Sequence, residues 1–337
     1  MRALDSRPPI LSRARTHRVV SLWVASTLLL AVSLTGCTGR LGNTADPIQS
    51  LVDPDLGRKY LLYRPAAYDR RNDWPLVILC HSTFPDSPRD RISAWQGLAD
   101  TRGFLLAAPQ LEATKGRIGA GDALKLKEDE RHILSVLQHV RAGHSVSEDR
   151  IFLQGWSGGA VPALFTGLGH SDVFRAVAVM QPRFSAAAMS DVQTRIDSFQ
   201  PVFLDFNVID RLTGSDGKEC AEWLQQSNAA LSLNPHGKSK GDDLLPTVMF
   251  FEDTIRKTAW IHVRSSTPDA ARPREIKFKL QSSIQPVAYR WEFGDGQESP
   301  IAEPLHVYGV SGSYRVVVTV TGPRGASHKR AANVTVP

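Results

Sequence analysis

The strongest chemical signal in the sequence is the run Gly155-Trp156-Ser157-Gly158-Gly159. A serine flanked by glycines at this spacing suits a sharp strand-to-helix turn that holds it at strained backbone angles with its hydroxyl outward, where side chains at the flanking positions would clash. The apolar run 151–154 before it reads as a strand and 159–168 after it as a helix, the context such a turn requires. Ser157 is thus a candidate nucleophile for acyl transfer. The Gly158 amide, at the N-terminus of that helix, is a candidate donor to the oxyanion that forms when a serine attacks a carbonyl. A glycine-rich turn without chemistry is the competing reading, and the flanking elements favour the nucleophile.

Such a serine needs a base, and the base needs an acid, in the chain order serine, acid, histidine on this type of sheet. Asp210 lies four residues beyond an apolar strand predicted at 202–206, where an acid-bearing loop belongs. Asp205 is its rival, but it falls inside that strand. For the base, His236 in Asn234-Pro235-His236-Gly237 reads as a loop residue before the last helix, whereas His262 alternates within a strand of the following domain and has no route to Ser157. The triad expected is Ser157, His236 and Asp210. His132 and His139, seven residues apart on one helix face, read as surface residues and not as a metal pair. Cys80 and Cys220 fall in an apolar strand and a helix, so two buried thiols are expected, with no disulfide framework and no zinc site. Acyl transfer of this kind requires no cofactor and no metal.

The elements that must position these residues alternate strand and helix. Strands are predicted at 59–64, 76–80, 104–108, 151–154, 176–180 and 202–206, and helices at 92–102, 128–142, 159–168, 216–228 and 245–257. This pattern implies a doubly wound, mostly parallel sheet with crossovers, an α/β domain over 53–257. From residue 259 the period becomes two, with short strands between Pro, Gly, Ser and Asp clusters. A second, all-β sandwich is therefore expected at 259–337.

The loop after strand 76–80 reads His81-Ser82-Thr83-Phe84. With that loop and the serine turn, residues 53–257 resemble an α/β-hydrolase of the group containing polyhydroxybutyrate depolymerase-like and feruloyl esterase-like enzymes. The resemblance implies a second oxyanion donor in the amide of Thr83, and hydrolysis of carboxylic esters. The sequence departs from the group's pattern at Ser82, where a glycine is usual, at Asn207, and in lacking Gly-x-His at the base. A hydrolase domain without turnover, serving as a surface scaffold or adhesion module, is the alternative. Downstream, Trp291-Glu292-Phe293-Gly294-Asp295-Gly296, then Pro304-Leu305-His306-Val307-Tyr308, then Gly312-Ser313-Tyr314-Arg315-Val316 resemble the PKD domain, an immunoglobulin-like module of surface proteins. That resemblance implies that the motif residues are structural and that the module acts as a spacer or as a contact for protein or polysaccharide.

Residues 1–36 carry five arginines through Arg18, then an apolar run of about 16 residues, too short for an ordinary membrane span. Leu34-Thr35-Gly36-Cys37 follows, and the segment resembles a bacterial lipoprotein signal peptide. The resemblance implies cleavage before Cys37, lipidation of that cysteine, and residues 37–52 as a tether holding an extracytoplasmic domain on a membrane, with the outer membrane an open possibility. The chain of 337 residues suits two domains, and 42% hydrophobic with 22% charged residues excludes a disordered chain, a collagen-like fibre and a polytopic membrane protein. Of the formal charge of +6, the first 36 residues supply +4, so the folded part has no basic excess that would point to nucleic acid.

Overall fold

The computed structural model describes residues 46–115, 118–211, 213–237 and 243–337. Cys37 and the apolar run before it lie outside these residues. Among the described residues no helix is long and apolar enough to cross a membrane.

The chain first forms β1 (Ile48–Val52), β2 (Lys59–Tyr63) and β3 (Trp74–Cys80), then α1 (Pro88–Arg102) and β4 (Leu105–Pro109). Alternating α2 (Ala123–Gly143), β5 (Val146–Trp156), α3 (Ala160–Gly169), β6 (Ala176–Met180), the single turn α4 (Ser190–Gln193), β7 (Pro201–Asn207), α5 (Gly214–Gln226), β8 (Ala230–His236) and α6 (Leu245–Lys257) complete the first domain. Local chemistry sets several boundaries. Helix α1 starts where the Ser87 hydroxyl accepts from Asp90 N and Pro88 occupies the first turn, which has no intrahelical partner for an N–H.

The eight strands join in the order β1-β2-β4-β3-β5-β6-β7-β8. Strand β2 runs antiparallel to both its neighbours, and every other pairing is parallel. This is the α/β-hydrolase arrangement, a doubly wound sheet as the alternating pattern predicts. Strand β3 shows why its sequence is apolar throughout: Leu76, Ile78 and Cys80 face a core with α2, α3 and α5, while Val77 and Leu79 face a second core with α1 and α6. A strand covered on both faces has no polar positions to offer.

Two expectations are corrected here. The tether does not extend to residue 52, because Ile48–Val52 pairs residue for residue with Lys59–Tyr63 as an edge strand. The short alternation IQSLV inside a polar stretch carries too little period to announce a strand. His132 is not a surface residue but fully buried, and its ring is pushed down to about 4 in pKa by desolvation and by the nearby Arg58 cation. Cys80 and Cys220 are both free and buried, and burial raises both thiols above the ordinary range.

The second domain is a sandwich of two antiparallel sheets. One contains β9 (Ile261–Ser266), β10 (Glu275–Ser282) and β13 (Leu305–Val307), and the other β11 (Ala288–Glu292), β12 (Glu298–Ser299), β14 (Gly312–Thr321) and β15 (Ser327–Val336). Trp291, Phe293, Val316 and Val318 plug the core between them. His306 stacks on Phe293 with centroids 3.9 Å apart and bonds Asp295 Oδ2 through Nε2 at 2.7 Å, so the motif histidine clamps a turn. The two domains are joined by polar contacts: Arg330 Nε lies 3.0 Å from Asp197 Oδ2, and Arg315 donates to Ile196 O and Ser198 Oγ at 3.0 Å each.

Candidate active site

Ser157 leaves the C-terminal end of β5 with φ of +49°, a left-handed conformation rarely adopted by a residue with a side chain. The flanking glycines explain how it is held. A Cβ on Gly155 would stand 2.6 Å from Gly159 O and 2.7 Å from Ala160 Cα, and one on Gly159 would collide with the Cys80 carbonyl group at the end of β3. Strand, turn and helix are thus packed too closely for any other residue at these two positions. Ser157 opens onto a cavity of about 500 Å³ lined by Ser82, Thr83, Phe84, Pro85, Ile118, Gly158, Arg183, Phe184 and Asp216.

Thr83 and Gly158, the two expected oxyanion donors, adjoin. The amide nitrogen of Thr83 is 3.3 Å from the position a Cβ on Gly158 would take. The Gly158 amide is already engaged, donating to Ser82 Oγ at 3.1 Å. Arg183 is tied to Ser157 through its backbone, donating from N to Ser157 O at 3.0 Å. Its guanidinium donates from Nε to Asp216 Oδ2 at 3.0 Å, which places an ion pair on the cavity wall.

His236 is not a loop residue. It ends β8, its backbone opposite Asn207 in the parallel ladder with β7, and its carbonyl accepts from Val208 N at 2.8 Å. Its Nε2 lies 3.1 Å from Asp205 Oδ1, while Asn234 Nδ2 donates to the other carboxylate oxygen at 2.6 Å. The rival acid is therefore the partner. The register pairs Asp205 with Asn234, so Asp205 and His236, like residues two apart on one strand, share a face of the sheet. Asp210 instead accepts from Thr213 N at 2.7 Å and Thr213 Oγ1 at 2.9 Å, closing the turn that leads into α5.

Ser157 and His236 are not joined by a hydrogen bond. They stand at the ends of β5 and β8, three strand spacings apart, roughly 14 Å at about 4.8 Å per step. Gln181, directly after β6, the strand beside β5, has φ of +47° and reaches toward His236. Its Oε1 accepts from Asn207 N at 3.1 Å and its Nε2 lies 3.4 Å from His236 Nε2. With Nε2–H given to Asp205, the basic nitrogen of His236 is Nδ1, which is buried without a hydrogen-bond partner. That orientation is the reverse of a serine-facing Nε2.

Sequence reasoning weighed Asp205 and passed it over, although a carboxylate in the apolar run Val202-Phe203-Leu204-Asp205-Phe206 has to be paired once buried. Gln181, Arg183 and Asp216 carry no motif that would single them out. Among the described residues no group of three or more His, Cys, Asp or Glu is arranged to hold a metal ion.

Comparison with known proteins gives different results for the two halves. The model of the PKD domain matches residues 261–336. The C-terminal domain is a PKD domain. Collagenase ColA from Bacillus cereus is 48% identical over 50 residues, covering 15% of this chain and 5% of the collagenase. Collagenase ColQ1, also from Bacillus cereus, is 44% identical over 65 residues, covering 18% and 7% respectively. The chain thus spans less than a tenth of these relatives. Over the hydrolase domain, a lipase/esterase from Lactobacillus plantarum is 14% identical at a TM-score of 0.44, covering 61% of this chain and 98% of that one. Dipeptidyl peptidase 4 from Porphyromonas gingivalis is 13% identical at a TM-score of 0.44, covering 62% and 34%. The hydrolase fold itself rests on the strand order and the serine turn.

Proposed function

We propose that the α/β domain is a serine esterase held outside the cytoplasm on a membrane through lipidated Cys37, with the PKD domain contacting surface protein or polysaccharide. The observation that carries this reading is the backbone of Ser157. A residue at φ of +49° costs about 1–3 kcal/mol, and the close packing at Gly155 and Gly159 maintains it on the wall of a cavity. In the reaction Ser157 Oγ attacks an ester carbonyl and loses its proton to the base. The oxyanion is held at the Ser82-Thr83-Gly158 corner, the alcohol departs with the proton, and water releases the acid from the acyl-enzyme. His236, hydrogen-bonded to Asp205, is the base of this reading.

A second reading, a hydrolase domain serving as a scaffold without turnover, is favoured by one specific observation: His236 is fixed by its backbone in the β8 ladder and by Nε2 to Asp205, away from the serine. Incubation with a fluorophosphonate probe and with p-nitrophenyl butyrate separates the two. The esterase reading requires covalent labelling at Ser157 and ester cleavage, both lost in Ser157→Ala. A folded protein that shows neither supports the scaffold.

A further inference from the structure

We infer that the hydroxyl of Ser82 is itself an oxyanion donor, interposed between the Gly158 amide and the substrate. This deepens the serine-esterase reading and rests on it. The Gly158 N–H donates to Ser82 Oγ at 3.1 Å, so in the resting site that amide faces a hydroxyl and not the open cavity. The hydroxyl's own proton has no acceptor among the described residues, and Ser82 lines the cavity beside Ser157 and Thr83.

The hydroxyl is also held in place. Ser82 N donates to Asp86 Oδ2 at 2.6 Å, and Asp86 is fixed by Arg91 at 2.8 Å. On the other side, Leu111 N donates to His81 Nε2 at 3.0 Å, which makes Nε2 the acceptor and leaves Nδ1–H to donate to Ser82 O at 2.7 Å. Burial lowers the pKa of His81 and keeps this ring neutral, as the tautomer requires. Both ends of the Ser82 peptide are therefore fixed while its side chain faces the cavity.

The resulting chain is Gly158 N–H to Ser82 Oγ and Ser82 O–H to the oxyanion, with Thr83 N–H as the direct amide donor. A hydroxyl that accepts from an amide is polarised toward donating, and a bond to a developing anion is stronger than one to a neutral carbonyl. The gain is therefore larger in the transition state than in the bound ester, and it belongs in kcat. No bond is made or broken by Ser82.

The test is kcat and KM for p-nitrophenyl butyrate in wild type, Ser82→Ala, Ser82→Thr and Ser157→Ala, each checked for folding by circular dichroism. The expected result is a fall in kcat of about 10²–10³ in Ser82→Ala with KM within about threefold, and recovery of most of it in Ser82→Thr, which retains the hydroxyl. Wild-type or higher kcat in Ser82→Ala would overturn the donor role and make Ser82 a plug, while the serine-esterase reading stands. Wild type no faster than Ser157→Ala would overturn that reading and the donor role with it.

Discussion

Asp205 and His236 are joined by a hydrogen bond, Nε2 to Oδ1 at 3.1 Å, with the histidine anchored in strand β8 and the aspartate in strand β7. Because both backbones belong to one parallel ladder, the pair is set by sheet register and not by a loop. Its consequence is a ranking of two carboxylates. Replacing Asp205 with Asn should lower kcat/KM for p-nitrophenyl butyrate by about 10³–10⁴, the scale expected when a histidine loses its orienting carboxylate. Asp210→Asn should cost less than about tenfold, since Asp210 closes a turn with Thr213. A larger loss from Asp210→Asn than from Asp205→Asn would restore the acid to the loop.

Packing at the serine turn gives a stability prediction. A methyl group at residue 159 would enter the Cys80 carbonyl group, backbone that cannot rotate away. Gly159→Ala should destabilise the protein by about 2–3 kcal/mol, at the upper end for overpacking, and urea unfolding followed by tryptophan fluorescence measures it. A midpoint equal to wild type would mean that strand β3 and the turn are not in contact as described.

The junction between the domains makes a third. Asp197 and Arg330 are buried together, where desolvation raises the Asp197 carboxyl and lowers the Arg330 guanidinium, opposed in each case by the partner's charge. Removing one partner leaves a buried charge, so Arg330→Met should cost about 3–5 kcal/mol in urea unfolding, and Asp197→Leu with Arg330→Met together should recover much of it. A loss within about 0.5 kcal/mol for Arg330→Met would show that the junction opens readily to water.

His132 predicts a pH dependence. Its folded pKa of about 4 lies below the ordinary 6.5, so the folded state binds the proton less readily than the unfolded chain does. The stability this group contributes is whole above pH 6.5 and is lost as pH falls from 6.5 toward 4, about 3 kcal/mol across that window. Urea midpoints at pH 7.5 and pH 4.5 should differ accordingly in wild type and differ less in His132→Phe. Equal pH slopes in both proteins would contradict it.

The sequence made the architecture legible where period was strong. Runs such as Val77-Ile78-Leu79 and the helix at 245–257 could be placed because burial on two faces, or on one stripe, leaves a pattern. Ser157 was legible because its chemistry demands glycines at fixed offsets. The carboxylate partner of His236 and the strand that holds the histidine were not, because a histidine and an aspartate impose no pattern on their neighbours. Whether Asn234-Pro235-His236 ends a strand or begins a loop depends on the pairing of β8 with β7, a long-range relation that local residue types do not encode. Ser82 was visible as a departure from a glycine, but its hydroxyl could be placed on the Gly158 amide only once β3 and β5 lay side by side.

The central claim is that Ser157 is an activated nucleophile. It is tested most directly by treating the purified protein with a fluorophosphonate and locating the adduct by peptide mass spectrometry. The account predicts stoichiometric modification at Ser157, absent in Ser157→Ala and slowed in Asp205→Asn. An unmodified Ser157 in folded protein, after exposure that fully labels a known serine esterase, would contradict it.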